Sequence, residues 1–96
     1  MMTKAYLQIS MNIPAENRET AAAIYRQYLQ PFLNTIKGAQ SKELLVRAEG
    51  LQVLHGFETT EDAQAYLMSD LFNKDVVTAL KPCLQNNPDI RIYSVV

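Results

Sequence analysis

The sequence predicts an α+β fold, a single antiparallel sheet of four strands with two helical regions on one face. Three observations predict it. The hydrophobic period runs two, three-to-four, two, two, three-to-four, two along the chain, which orders the elements β-α-β-β-α-β. Turn and cap residues stand at every change of period. With 96 residues there is room for one domain, residues 1–96, and little slack between elements.

Ala5, Leu7, Ile9, Met11 and Ile13 alternate with Tyr6, Gln8, Ser10 and Asn12, the pattern of a half-buried strand, and Pro14 ends it. A helix beginning near Pro14-Ala15 or Asn17 carries Ala21, Ile24, Tyr25, Tyr28, Leu29, Phe32, Leu33 and Ile36 on one stripe. Arg18, Glu19, Arg26, Gln30 and Asn34 fall on the face expected to meet water. Pro31 removes a donor and crowds the preceding turn, so a kink or a break and restart is expected there. Gly38 supplies the stop.

Residues 41 to 58 read as a hairpin around Ala48-Glu49-Gly50, with Gly50 suited to a turn of positive φ. Two registers remain open. A three-residue loop sets Leu45, Val53, His55 and Phe57 on one face, whereas a two-residue loop is expected to pair Val46 with Val53. Thr59 and Thr60 before Glu61 and Asp62 form a helix start. Ala63, Tyr66 and Leu67 face inward; Ser69-Asp70 then acts as a second cap, after which Leu71, Phe72, Val76, Val77, Ala79 and Leu80 continue an apolar face to Pro82. This region is therefore expected in two pieces. Asn86-Asn87-Pro88-Asp89 is a turn, and Ile90 to Val96 a final strand rich in β-branched residues. This order is the ferredoxin-like, split β-α-β topology, whose two right-handed crossovers place both helices on the same side.

Composition excludes several function classes. The net charge of −1, with acids and bases mixed along the chain, offers no basic stripe for nucleic acid. No run reaches the roughly 20 apolar residues of a membrane span, and the alternating segment after Lys4 does not read as a signal peptide. A cytoplasmic protein with a reduced, buried thiol at Cys83 is expected. One histidine and one cysteine cannot assemble a soft-ligand metal site in a single chain. Glu58, Glu61 and Asp62 cluster where helix capping accounts for them. A domain this short buries only roughly 60 to 65% of its unfolded surface, so added burial is expected from a homodimer.

The stretch LQVLHGFETTEDAQAYLMSDLFNKDVVTAL, Leu51 to Leu80, resembles the second half of antibiotic biosynthesis monooxygenase domains. Phe57, Thr59, Glu61, Tyr66, Leu67, Ser69 and Phe72 occupy the family's strand-end aromatic, Ser/Thr-Glu helix start, aromatic before Leu, and Ser-x-x-Phe positions. The first half is similar through its strand ending at Pro14, long helix and Lys37-Gly38-Ala39. The resemblance implies a dimeric α/β barrel, two sheets face to face, with a small cavity in each subunit between sheet and helices. It also implies an oxygenase that needs no cofactor and acts on a small aromatic or polyketide-like molecule. In such chemistry a base removes an acidic proton, the carbanion passes an electron to dioxygen, and a hydroperoxide collapses to a quinone. The chain has no tryptophan, so Phe57 stands where the family places a strand-end Trp. Haem-degrading members use a helical histidine as iron ligand, whereas the one histidine here is expected on a strand.

His55 is the candidate catalytic residue, as base or orienting group, because imidazole exchanges a proton near neutrality. The alternative is a packed structural histidine. Tyr25, Tyr28 and Tyr66 lie on helix faces directed at the sheet. With Phe57 and Phe72 they form the expected substrate-binding set, or else they are core aromatics with polar tips reaching solvent. Tyr6, Gln8, Ser10 and Asn12 form a polar row on the sheet face away from the helices and are the expected dimer interface. Two functions follow: the monooxygenase, or a non-catalytic dimer that binds a small molecule or serves in assembly. The space between helices and sheet separates them, since complete filling by Phe32, Phe57, Tyr66 and Phe72 leaves no room for substrate.

Overall fold

The computed structural model describes residues 3–96. Strand β1 (Ala5–Asn12) is followed by a 3-10 turn (Ala15–Asn17) and helix α1 (Arg18–Thr35). Strands β2 (Ala39–Arg47) and β3 (Gly50–Phe57) form the hairpin. Helix α2 (Thr60–Leu67), a π-helical segment (Leu71–Val76), helix α3 (Val77–Leu80) and a 3-10 turn (Lys81–Cys83) lead to β4 (Asp89–Ser94). The sheet order is β2-β3-β1-β4, with every pair antiparallel. This is the expected ferredoxin-like arrangement.

The alternation of β1 translates directly into burial. Ala5, Leu7, Ile9 and Met11 are buried and face the helices, while Tyr6, Gln8, Ser10 and Asn12 are half-buried on the other face. Helix α1 packs against β2, and α2 against β1 and β4. Phe32, Phe57, Tyr66, Leu7 and Ile13 are fully enclosed between these layers. Each such side chain contributes about 1.5–3 kcal/mol of burial free energy, so one face carries most of the fold's stability.

Four local expectations are corrected. Helix α1 runs through Pro31 to Thr35 without breaking. The bond lost at Pro31 would have gone to the carbonyl of Gln27, an exposed residue, where water can serve the acceptor. The Thr35 hydroxyl donates to the Pro31 carbonyl at 2.6 Å and closes the last turn. Arg18 does not simply face water. Its Nε donates to the Ile13 carbonyl at 3.1 Å and its Nη2 to the Ala48 carbonyl at 2.8 Å, tying the hairpin loop to the end of β1.

The hairpin turns on two residues, Ala48 and Glu49, because Arg47 faces Gly50. Val46 then pairs with Leu51, not Val53, and Leu44 pairs with Val53. Leu45 falls opposite Gln52, on the face away from Val53, His55 and Phe57. Gly50 does not adopt positive φ; among the described residues only Gly38 does, at +78°. Gly50 is required for another reason. A Cβ there would sit 2.1 Å from the Met11 carbonyl oxygen and 2.7 Å from the Ile13 nitrogen, so the close approach of β3 to the end of β1 excludes any side chain.

The second helical region does form two pieces. The Thr59 hydroxyl caps α2 by accepting from the Asp62 N–H at 3.0 Å. Ser69 sits at the junction, accepting from the Phe72 N–H at 3.2 Å while donating to the Tyr66 carbonyl at 2.6 Å. The π-helical form of the second piece was not read from the sequence.

Candidate functional site

A cavity of about 310 Å³ lies between the helices and the sheet. Ile24, Tyr25 and Tyr28 of α1 form one wall, and Lys42, Leu44, Val53 and His55 of the central hairpin form the floor. Tyr66, Phe72 and Val76 close a third side from the second helical region. The wide π turn sets Phe72 and Val76 inward on consecutive turns, and such segments recur where helices shape ligand sites.

Aromatic packing leaves this space open. Phe32 stands at the centre of an edge-on cluster, with ring centroids 5.5 Å from Phe57, 5.0 Å from Tyr66 and 5.3 Å from His55. Tyr66 in turn meets Phe72 at 5.2 Å. Phe32 and Phe57 form a fully buried backing and take no part in the lining. Four of the five expected substrate-binding residues, Tyr25, Tyr28, Tyr66 and Phe72, therefore line the cavity together with His55, and Phe57 lies behind them.

His55 is 2% exposed, and its Nδ1 lies 3.0 Å from the Leu7 carbonyl oxygen. A carbonyl can only accept, so Nδ1 carries the hydrogen and Nε2 keeps the free lone pair. Burial pushes the His55 pKa down to about 3, against an opposing pull from the Leu7 bond, and the nearby Lys42 lowers it further. The ring is thus neutral at physiological pH.

Lys42 is a cavity-lining residue that sequence reasoning missed. It pairs with His55 across the hairpin, is 9% exposed, and burial brings its pKa down to about 8. Its Nζ lies 5.5 Å from the Tyr25 ring centre and 5.2 Å from that of Phe32. Its strand parity with Leu44 places it inward only once the register is known, with Leu44 facing Val53. The Tyr25 hydroxyl donates to the Lys42 carbonyl at 2.6 Å, and burial, with Glu43 adding a smaller push, raises its pKa. The Tyr66 hydroxyl is buried without a hydrogen-bond partner, and burial raises its pKa as well. An orphaned buried hydroxyl of this kind costs about 1–3 kcal/mol unless a ligand or water completes it.

On the opposite face of the sheet, Gln8, Ser10 and Asn12 line a polar groove with Arg47, Arg91 and Tyr93. Tyr6 lies directly across from Tyr93 in the same row. Arg47 donates to the Asn12 Oδ1 at 2.9 Å. Cys83 is buried and free. No group of three or more potential metal ligands occurs among the described residues, and no helix there is long and apolar enough to cross a membrane.

No family description and no curated protein matches this chain in sequence. Solved structures do match in shape. A Caulobacter crescentus CB15 protein provisionally named an antibiotic biosynthesis monooxygenase superposes with a TM-score of 0.82 at 14% identity, covering 98% of this chain and 91% of that one. A monooxygenase from the ActVA-Orf6 gene of Streptomyces coelicolor, solved with the ligand nanaomycin D, gives 0.81 at 10% identity over 98% and 88%. The haem-degrader MhuD of Mycobacterium tuberculosis, solved with two haems in its active site, gives 0.75 at 16% identity over 96% and 95%. At these identities the likeness establishes the fold, one used by monooxygenases and by proteins that hold small ligands.

Proposed function

We propose that this chain is a member of the antibiotic biosynthesis monooxygenase family, and that it oxygenates a small aromatic or polyketide-like molecule without a cofactor. The observation that carries this reading is the cavity itself: an apolar chamber into which the fold brings Lys42, His55 and Tyr66 together. A dry site with a few convergent polar groups suits a reaction in which the substrate is the reductant. The protein then needs only to accept a proton, hold the resulting anion and admit dioxygen.

The residues divide those tasks by their proton affinities. His55, with a pKa near 3, is too weak a base to remove the proton and serves as an orienting acceptor through Nε2. Lys42, with a pKa of about 8, is mostly protonated at pH 7; its neutral fraction can take the substrate proton, and the resulting ammonium holds the anion. Tyr28 and Tyr66 hold the ligand from the helical side. A haem-degrading role does not suit the donor set, because the single histidine is a buried strand residue already bonded to Leu7. The low basicity of His55 and the missing strand-end Trp favour a second reading, a dimer of the same fold that binds its ligand without turning it over.

Oxygen uptake with anthrone- and quinol-type compounds tests the proposal. The wild type is expected to consume oxygen, and His55→Ala to slow this by about tenfold or more. Unchanged turnover in His55→Ala removes that residue from the mechanism. Ligand binding without any oxygen uptake leaves the binding role alone.

A further inference from the structure

Two lysines line the cavity, Lys42 and Lys81; Lys81 is exposed to water, whereas Lys42 is the one buried cation there. Lys42 is buried, and among the described residues no carboxylate lies within ion-pair distance of its Nζ. Glu43, its neighbour in sequence, alternates to the exposed face of the sheet. The faces of Tyr25 and Phe32 offset only part of what the ammonium loses on leaving water. The Tyr66 hydroxyl is buried without a hydrogen-bond partner, and both residues line the same chamber, whose other walls are mainly aliphatic and aromatic.

A neutral apolar ligand would leave the Tyr66 hydroxyl unpartnered and would cut the Lys42 ammonium off from water with no counter-charge. A ligand carrying one ionised oxygen group would pair with Nζ and, where it reached Tyr66, accept from the hydroxyl. The geometry points to Lys42 as the specificity-determining residue of this cavity, selecting a flat apolar molecule that bears a single anionic oxygen group, carboxylate or enolate. This rests on reading the chamber as a small-molecule site.

Calorimetric titration at pH 7 with 2-naphthoate and 2-naphthamide tests it, since the two share a ring system and differ in charge. The wild type is expected to bind the naphthoate about tenfold or more tightly than the amide, the scale of one charge-assisted hydrogen bond. Lys42→Met is expected to lose that preference while still binding the amide. Equal affinities in the wild type overturn the inference, and need no variant to fold. A preference that survives Lys42→Met overturns the assignment to Lys42. If neither compound binds the wild type, the small-molecule reading of the cavity fails and the inference falls with it.

Discussion

His55 and Lys42 face each other across the hairpin, and burial holds both away from their ordinary proton affinities. For His55 the consequence is a stability that depends on acid. Its folded-state pKa of about 3 lies below the 6.5 of an unperturbed imidazole, so between these values the unfolded chain binds a proton that the folded chain refuses. Stability therefore falls as pH drops through that window and is insensitive to this group above it. Urea titrations at pH 7 and 4.5 should show a loss of about 2–3 kcal/mol attributable to His55, absent in His55→Gln. Equal losses in both proteins would contradict the buried neutral ring. The sequence singled out His55 as the one imidazole on an apolar strand, but the face it takes depended on a hairpin register that stayed open. Lys42 was not singled out, because a lysine on the buried side of an edge strand is recognised only once the pairing with His55 is known.

At the scale of elements, regular alternation and helical stripes were readable, whereas contacts between distant elements were not. The alternation of β1 and the caps at Thr59 and Ser69 depend on neighbours in sequence, and they appear as read. The hairpin register depends on β1 meeting Gly50, a contact between residues far apart in sequence, and the local pattern around Gly50 suggested a left-handed turn instead. Pro31 misled for a similar reason: its local cost is real, but burial of Phe32 in the aromatic cluster favours a continuous helix. Gly50→Ala is the matching test. The added methyl would force β3 from the end of β1, and thermal or urea unfolding should show a loss of about 2–3 kcal/mol. A loss within a few tenths of a kcal/mol would mean that the strand ends separate freely, contrary to the close approach described.

For the whole molecule, one-sided burial raises the question of the other sheet face. Tyr6, Gln8, Ser10 and Asn12, with Leu54 beside Gln8, form a half-buried surface that we propose a second copy covers, as the barrel resemblance implies. Sedimentation analysis should give twice the chain mass for the wild type and a shift toward the single chain for Leu54→Arg; a wild-type monomer at high concentration would remove the dimer. The layer order and the helix-covered face were legible from the changes of hydrophobic period alone. The size of the chamber was not, because it depends on how the π-helical segment seats Phe72 and Val76 against Tyr66. That chamber is where a ligand is expected to bind. Amide chemical-shift mapping with 2-naphthoate tests this most directly. Shifts concentrated at Tyr25, Lys42, Val53, Tyr66 and Phe72 are the predicted result, and shifts confined to Gln8, Ser10 and Arg91 on the opposite face would contradict it.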